Sequence, residues 1–364
     1  MANDKLKRIG ILTGGGDCPG LNAVIRSVAK AAMSGGLEVI GIADGYLGLI
    51  ENRLHTMTMR EVSGILTQGG TILGSCNKAD PSNYAVRVGD KWQHRDVRDQ
   101  VVANYHQAGL DAMVVIGGDG TMAGAAQLVQ RGLKIVGVPK TIDNDLWATE
   151  ITFGHDSAVA TASDALDKVH TTASSHHRVM VVELMGRYAG WLALHAGLAS
   201  GADVILIPEI PFDLEKVAHK CAARRAIGKG FTIIAVGEGA KPLGGDLFVN
   251  HIVKDSPDPV RLGGIGKFVA NAVEDMTGLD SRTIVLGHVQ RGGTPTAFDR
   301  ILATQFGYHA FQLLMAGEFN RMVAMQAGRI DSVCIDEVAG KVRTVPADSP
   351  TVAAARSLGT SFGD

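Results

Sequence analysis

The stretch Pro139-Lys140-Thr141-Ile142-Asp143-Asn144-Asp145 follows the apolar run Lys134 to Val138. A short apolar run of this kind reads as a buried strand, which puts two carboxylates and an amide at its carboxyl end. Open α/β sheets hold their ligands at that end. Acidic groups this closely spaced suit a site that holds a metal ion and removes a proton. A carboxylate beside a cation stays charged, and one aimed at a hydroxyl takes its proton as the oxygen attacks. Asp and Asn also favour turns through their own backbone hydrogen bonds, so the remainder of the chain has to decide between a site and a turn.

Upstream, the apolar strand Arg8 to Thr13 runs into Gly14-Gly15-Gly16-Asp17-Cys18-Pro19-Gly20 and then a helical pattern from Leu21 to Met33. Strand, glycine loop and helix together offer backbone N–H groups and a positive helix end to a phosphate. The spacing is neither the dinucleotide fingerprint nor a P-loop, which ends in Lys-Ser/Thr. The pattern recurs: the strand Ala112 to Ile116 is followed by Gly117-Gly118-Asp119-Gly120-Thr121 and a helix from Met122 to Gln130. Glycines there allow phosphates to approach, Asp119 is placed to hold a divalent ion, and Thr121 is expected to cap the helix and donate to a phosphate oxygen. A further glycine element, Gly69 to Ser75, leads to Asn77 and Lys78, and a mainly polar stretch with one helix continues to His106. Two phosphate-type loops and an acidic cluster, each behind a strand, favour the site over the turn.

Downstream the pattern supplies cations. A helix is expected from Ser157 to Thr171, then strands Val179 to Leu184, Phe231 to Val236 and Ile284 to Gly287. Arg178, Arg187, Arg282, Arg291 and His288 stand at strand ends or turns, and Glu238 lies just past a strand. Arginine presents a planar fork of donors that fits phosphate oxygens and stays charged, so four at such positions read as a site for a phosphorylated substrate. Gly239 to Gly266 looks irregular, a helix is expected from Ala297 to Ala316, and the segment after Pro350 is expected to be mobile at its end. Regular strand and helix alternation sets the class as α/β with mainly parallel sheets.

Composition narrows the function. With 364 residues, 46% of them hydrophobic, and a net charge of −2, the chain has length for two domains and no basic field for nucleic acid or an anionic membrane. No apolar stretch approaches bilayer length. Cys18, Cys76, Cys221 and Cys334 lack paired metal spacing and read as free thiols of a reducing compartment. Met1 to Arg8 is polar, without the pattern of a signal peptide, so a cytoplasmic location is expected.

Six stretches, Thr13 to Gly20, Gly69 to Ser75, Gly117 to Thr121, Pro139 to Asp145, Met185 to Gly190 and Gly287 to Gly293, occur in the order found in the 6-phosphofructokinase family, and the chain resembles that family over most of its length. The resemblance implies two Rossmann-like α/β lobes with the active site in the cleft between them. It assigns residues 1–154 plus about 290–340 to a donor and Mg²⁺ lobe, and about 155–289 plus 341–364 to a sugar-phosphate lobe. It implies Asp143 as the base for the 1-hydroxyl of fructose 6-phosphate, with Thr141 and Asp145 in support, Asp119 placing Mg²⁺, and Arg187 steadying the transition state. Gly15, Gly16 and Gly118 to Thr121 would face the donor phosphates. Met185, Gly186, Arg187 and Glu238 would hold the sugar, while His288 and Arg291 would hold its 6-phosphate. Arg178 and Arg282 would reach that phosphate from a neighbouring subunit of a homo-oligomer, a dimer or tetramer.

The donor is the open point, because the chain resembles a branch with both ATP- and pyrophosphate-dependent members. Asn77 stands where many members carry an arginine, with Lys78 beside it as a point charge. Gly120 leaves room for a nucleotide where pyrophosphate users commonly have a carboxylate, whereas Lys140 resembles the pyrophosphate users. ATP is the favoured expectation, with a pyrophosphate-dependent phosphotransferase and a catalytically silent sugar-phosphate sensor as the alternatives.

Overall fold

The computed structural model describes residues 6–253, 255, 256 and 258–364, so residues 1–5 of the polar opening stretch lie outside the described residues. The chain opens with β1 (Arg8–Thr13), α1 (Leu21–Ser34), β2 (Glu38–Ile42), α2 (Tyr46–Ile50) and β3 (Leu54–Thr56). A hairpin of β4 (Tyr84–Val88) and β5 (Lys91–Arg95) precedes α3 (Arg98–Gln107), β6 (Ala112–Gly117), α4 (Asp119–Val129) and β7 (Ile135–Pro139). The long α5 (His155–His176) leads to β8 (Val179–Leu184), α6 (Trp191–Ala199), β9 (Val204–Leu206), α7 (Leu214–Ala226) and β10 (Thr232–Gly237). A second hairpin, β11 (Val249–Ile252) and β12 (Val260–Leu262), is followed by α8 (Ile265–Thr277), β13 (Ser281–Val285), a 3-10 helix at Gly287–Arg291 and α9 (Ala297–Ala316). The last elements are β14 (Arg321–Gln326), β15 (Arg329–Cys334), α10 (Ile335–Val338) and α11 (Pro350–Ser357).

Two sheets organise these elements. The larger has the order β15-β14-β7-β6-β1-β2-β3, and its five inner strands are mutually parallel. Every residue of β6 and β7 is buried, as expected of strands covered on both faces. The chain winds outward from the middle of this sheet in both directions, so β1 and β6 flank its topological switch point. The crevice outside their carboxyl ends is where such sheets bind ligands. The second sheet, β13-β8-β10-β9, is parallel throughout.

α9 returns to the larger sheet and lies on α1. Gly307 makes the approach close, since a Cβ there would stand 2.8 Å from the Ser27 Cβ and 2.9 Å from the Val24 carbonyl oxygen. Apolar side chains of α1 and α9, among them Val24, Val28, Leu302 and Phe306, form one core on that face of the sheet.

Four segments differ from the sequence reading. The tail after Pro350 is not mobile: α11 forms, and Phe362 is fully buried with Val345, Val352 and Ala355 in the core of the second sheet. Small residues there permit close helix packing. The polar stretch before His106 contains the exposed β4–β5 hairpin, and the region 239–266 contains β11 and β12. Both are two-stranded and solvent-facing, so they lack the apolar alternation by which a half-buried strand is recognised. The strand expected at Ile284 to Gly287 lies instead at Ser281–Val285, because the chain tightens into the 3-10 helix at Gly287.

Phe362→Ala removes a buried aromatic from the segment that closes this core. It is expected to cost about 3–5 kcal/mol of unfolding free energy in urea titration. A loss under about 1 kcal/mol would mean that the C-terminal segment is not part of the folded core.

Candidate active site

The two glycine loops meet at the switch point. Gly14 N donates to Ile116 O at 2.8 Å, and Cβ atoms built on Gly14 and Gly117 would strike the Thr121 side chain at 2.8 and 2.3 Å. Thr121 is therefore packed beneath both loops. It does not cap α4, contrary to the sequence reading, because that helix starts at Asp119 behind Gly118 and places Thr121 within its first turn. The third glycine element closes the floor. Ser75 Oγ donates to Gly15 O at 2.5 Å, and Thr13 Oγ1 donates to Gly74 O at 2.6 Å. An open cleft of about 400 Å³ results, lined by Gly15, Gly16, Asp17, Gly70, Thr71, Ser75 and Asn77. Gly120 is exposed, and a Cβ added there would meet nothing within 4 Å.

Beside this cleft β7 delivers the acidic segment. Lys140 is buried and its Nζ donates to Gly16 O at 2.5 Å, so the ammonium is tied to the first glycine loop. Burial pushes its pKa down. Asp143 N donates to Thr141 Oγ1 at 3.0 Å, and Asn144 takes a left-handed φ of 52° that turns the chain. The Oδ1 of Asp143 is buried without a hydrogen-bond partner. Burial raises the pKa of Asp143, opposed by the Arg291 guanidinium, and that of Asp145 as well, reinforced by the neighbouring Asp143 charge. Asp119 adds to both shifts and is thus close to both carboxylates.

The second sheet faces this segment with the carboxyl ends of three adjacent strands. β8 ends at Met185, Gly186 and Arg187, β10 at Glu238, and β13 at the 3-10 helix with His288 and Arg291. Glu238 N bonds Leu184 O at 2.8 Å and Gly239 N bonds Gly186 O at 3.1 Å, which locks two of these ends together. Gly239 has to be glycine, since a Cβ would lie 2.0 Å from the Arg187 carbonyl oxygen. Arg187 pairs with Asp258, lies over the Tyr188 ring, and leaves its Nε buried without a partner. Arg291 crosses toward the first glycine loop and donates to Asp17 O at 3.1 Å, whereas His288 is exposed. Lys78 reaches Asp255 of the second hairpin at 2.7 Å.

Arg178 and Arg282 are not brought to this cleft. They lie at the amino ends of β8 and β13, both paired with Asp280 and roughly 20 Å along the strand from Met185. Two contributors escaped the sequence reading. Gln290, fully buried, accepts from Met185 N at 3.4 Å, and Glu183 accepts from Gly264 N and Gly266 N at the start of α8. Gln290 lies within the Gly287 to Gly293 stretch, where the charged His288 and Arg291 drew the assignment; a polar residue inside a buried strand was the available signal for Glu183.

A doubly wound sheet whose switch-point loops confront a buried carboxylate and an arginine-bearing second sheet defines an α/β phosphotransferase. A family profile described as phosphofructokinase matches residues 8–314, and the chain belongs to that family. It is 49% identical over 362 residues to ATP-dependent 6-phosphofructokinase 2 of Clostridium perfringens, covering 99% of both chains. It is likewise 49% identical to ATP-dependent 6-phosphofructokinase of Chloroflexus aggregans, over 100% of this chain and 99% of that one. The phosphofructokinase of Pichia pastoris superposes with a TM-score of 0.79 at 32% identity, over 98% of this chain and 37% of that much longer one. The pyrophosphate-dependent phosphofructokinase of Marinobacter aquaeolei shares the fold, with a TM-score of 0.79 at 20% identity, over 98% of this chain and 88% of that one.

Burial, with Glu183 nearby, pushes the Glu238 pKa from 4.5 up to about 7. A raised carboxylate pKa destabilises the folded state fully above the folded value and not at all below the unfolded one. Glu238→Gln is therefore expected to gain on the order of 2 kcal/mol in urea unfolding at about pH 8, and almost nothing at about pH 4. An equal gain at both pH values would show that no desolvated charge is involved.

Proposed function

We propose that the chain is an ATP-dependent 6-phosphofructokinase, transferring the γ-phosphoryl group of ATP to the 1-hydroxyl of fructose 6-phosphate to form fructose 1,6-bisphosphate. The observation that carries this reading is the buried, unpartnered Oδ1 of Asp143, standing between the glycine-lined cleft and the three strand ends of the second sheet. Its desolvation and raised pKa suit a base that waits for a hydroxyl proton near neutral pH.

In this reading residues 1–154 and about 290–340 hold the donor, and about 155–289 with 341–364 hold the sugar phosphate. The backbone of Gly15, Gly16 and Gly118 to Thr121 lies along the donor phosphates, with Asn77 and Lys78 at the cleft edge. Met185, Gly186, Arg187 and Glu238 hold the sugar, and Arg291 with His288 holds its phosphate. As O1 attacks the γ-phosphorus, Asp143 takes the O1 proton, the new O–P bond forms and the bond to the departing ADP breaks. Thr141 and Asp145 fix the base, while Arg187 exchanges Asp258 for phosphoryl charge. Arg178 and Arg282, turned away from their own cleft, serve a second copy in a homo-oligomer.

Among the described residues no group of three metal-ligating side chains exists. Mg²⁺ binds through one or two carboxylates and takes its remaining oxygens from phosphates and water. Asp119, with Asp145 close by, would hold it. When bound, Mg²⁺ supplies charge neutralisation on the phosphoryl oxygens.

Gly120 supports ATP over pyrophosphate, because its surroundings are open where the rest of a nucleotide would extend. Lys140 does not count against ATP, since its ammonium is held by Gly16 O within the donor loop. No helix among the described residues is long and apolar enough to cross a membrane, and all four cysteines are free. Both facts are compatible with work in the cytoplasm.

A coupled assay comparing donors at equal concentration is expected to show turnover with ATP and under about a hundredth of that rate with pyrophosphate. Asp143→Asn is expected to lower kcat by about 10²- to 10⁴-fold in a protein that melts no lower than the parent at about pH 8. Activity confined to pyrophosphate would reverse the donor assignment, and full activity of the Asn variant would remove Asp143 as base.

A further inference from the structure

Against the backbone of the Asp143 loop lies a polar network with no place in the phosphoryl-transfer chemistry. His155, buried at the first position of α5, has its Nδ1 2.6 Å from the Ile142 carbonyl oxygen. Its Nε2 is 2.8 Å from Nδ1 of His195, on α6. Burial pushes both imidazole pKa values down, that of His155 to about 4, so both rings are neutral near pH 7. Neutrality fixes the direction of the chain. A carbonyl oxygen only accepts, so His155 carries its proton on Nδ1; its Nε2 then accepts, and His195 Nδ1 is the donor.

Next to it, the segment leading to α11 crosses the same loop. Arg343 N donates to Asp145 O at 2.7 Å, and its Nη1 donates to Asn144 O at 2.9 Å. The guanidinium lies 4.2 Å over the Trp191 ring, whose Nε1 donates to Arg343 O at 3.0 Å, and Trp191 packs against His195. Thr152 Oγ1 adds a bond to Thr141 O at 2.8 Å. Carbonyls on both sides of Asp143 are thus gripped, and two of the grips come from elements of the second sheet and the C-terminal segment.

We propose that His155, His195 and Arg343 are positioning residues that hold the backbone of 142–145 so that the Asp143 carboxylate points into the cleft. The proposal rests on Asp143 acting as the base. A buried imidazole, a half-buried one and a half-buried guanidinium are a costly way to fill space, since apolar side chains of like volume need no partners. The bonds of His155 and Arg343 end on one short loop, and His195 reaches it through His155. None of these residues lines the cleft of the glycine loops, so their loss is expected to act on the rate of the chemical step and not on donor binding. A misplacement of the base by a fraction of an ångström is enough for that.

The experiment compares His195→Phe, His195→Asn and Arg343→Met with the parent and with Asp143→Asn. Phe keeps a ring against Trp191 and drops the donor, whereas Asn restores an N–H near the Nδ1 position. His195→Phe is expected to lower kcat about tenfold with KM for both substrates within about twofold, and His195→Asn to recover most of the loss. Arg343→Met, at a half-buried site, provides the same test should the Phe variant not fold, with the same fall in kcat at constant KM. Unchanged kcat in the folded variants, a change confined to KM, or an Asn variant no better than Phe would overturn the proposal. If these variants lose activity while Asp143→Asn retains it, the assignment of the base fails instead.

Discussion

A carboxylate oxygen held out of water with no hydrogen-bond partner is a cost that folding has to offset elsewhere, and Asp143 carries one. Part of the offset is electrostatic, from Arg291 and Lys140, the two cations that favour its charged form. The rest is mechanical. β7 is buried along its whole length between β6 and β14, and the loop that follows is bonded through its own carbonyls to Thr152, His155 and Arg343. The loop cannot relax toward solvent without breaking that set.

The same constraint explains why the two sheets have to be read as one unit. Arg291 belongs to the segment after β13 yet bonds Asp17 O in the first glycine loop, and Lys78 of the larger sheet's loops pairs with Asp255 of the second hairpin. Gly69 lies so close to the carbonyl of Gly293 that a Cβ would stand 2.2 Å from it. Asp299 on α9 accepts from both N and Oγ of Ser157 on α5. The cleft is framed by contacts that pass from one sheet to the other, and its charges are set jointly. Glu238 raises the cost of charge on Asp143, while Arg291 lowers it for both.

Much of this was legible in the sequence because the relevant physics is local. A fully buried parallel strand is an unbroken apolar run, and the loops after β1, β6 and β7 announce themselves by glycines and carboxylates directly behind such runs. Arg187 and Glu238 were found the same way. The hairpins at 84–95 and 249–262 were missed because an exposed two-stranded ribbon has no buried face to print a period. α11 was missed because its packing partner is more than a hundred residues distant. His155, His195 and Arg343 were invisible as a group for the same reason: each stands in a separate segment of the chain, and only the fold brings them to one loop. Thr121 showed a different limit, since a threonine at a helix start suits a cap and a packed floor equally well until the helix boundary is known.

The central claim is that Asp143 sits desolvated at the cleft and titrates well above an ordinary aspartate. The direct measurement is a pH titration of carboxyl ¹³C resonances in protein labelled at aspartate, compared with Asp143→Asn. The account predicts one resonance, absent from the variant, with a midpoint well above the ordinary value of about 4. A resonance lost in the variant that titrates at or below about 4 would contradict it.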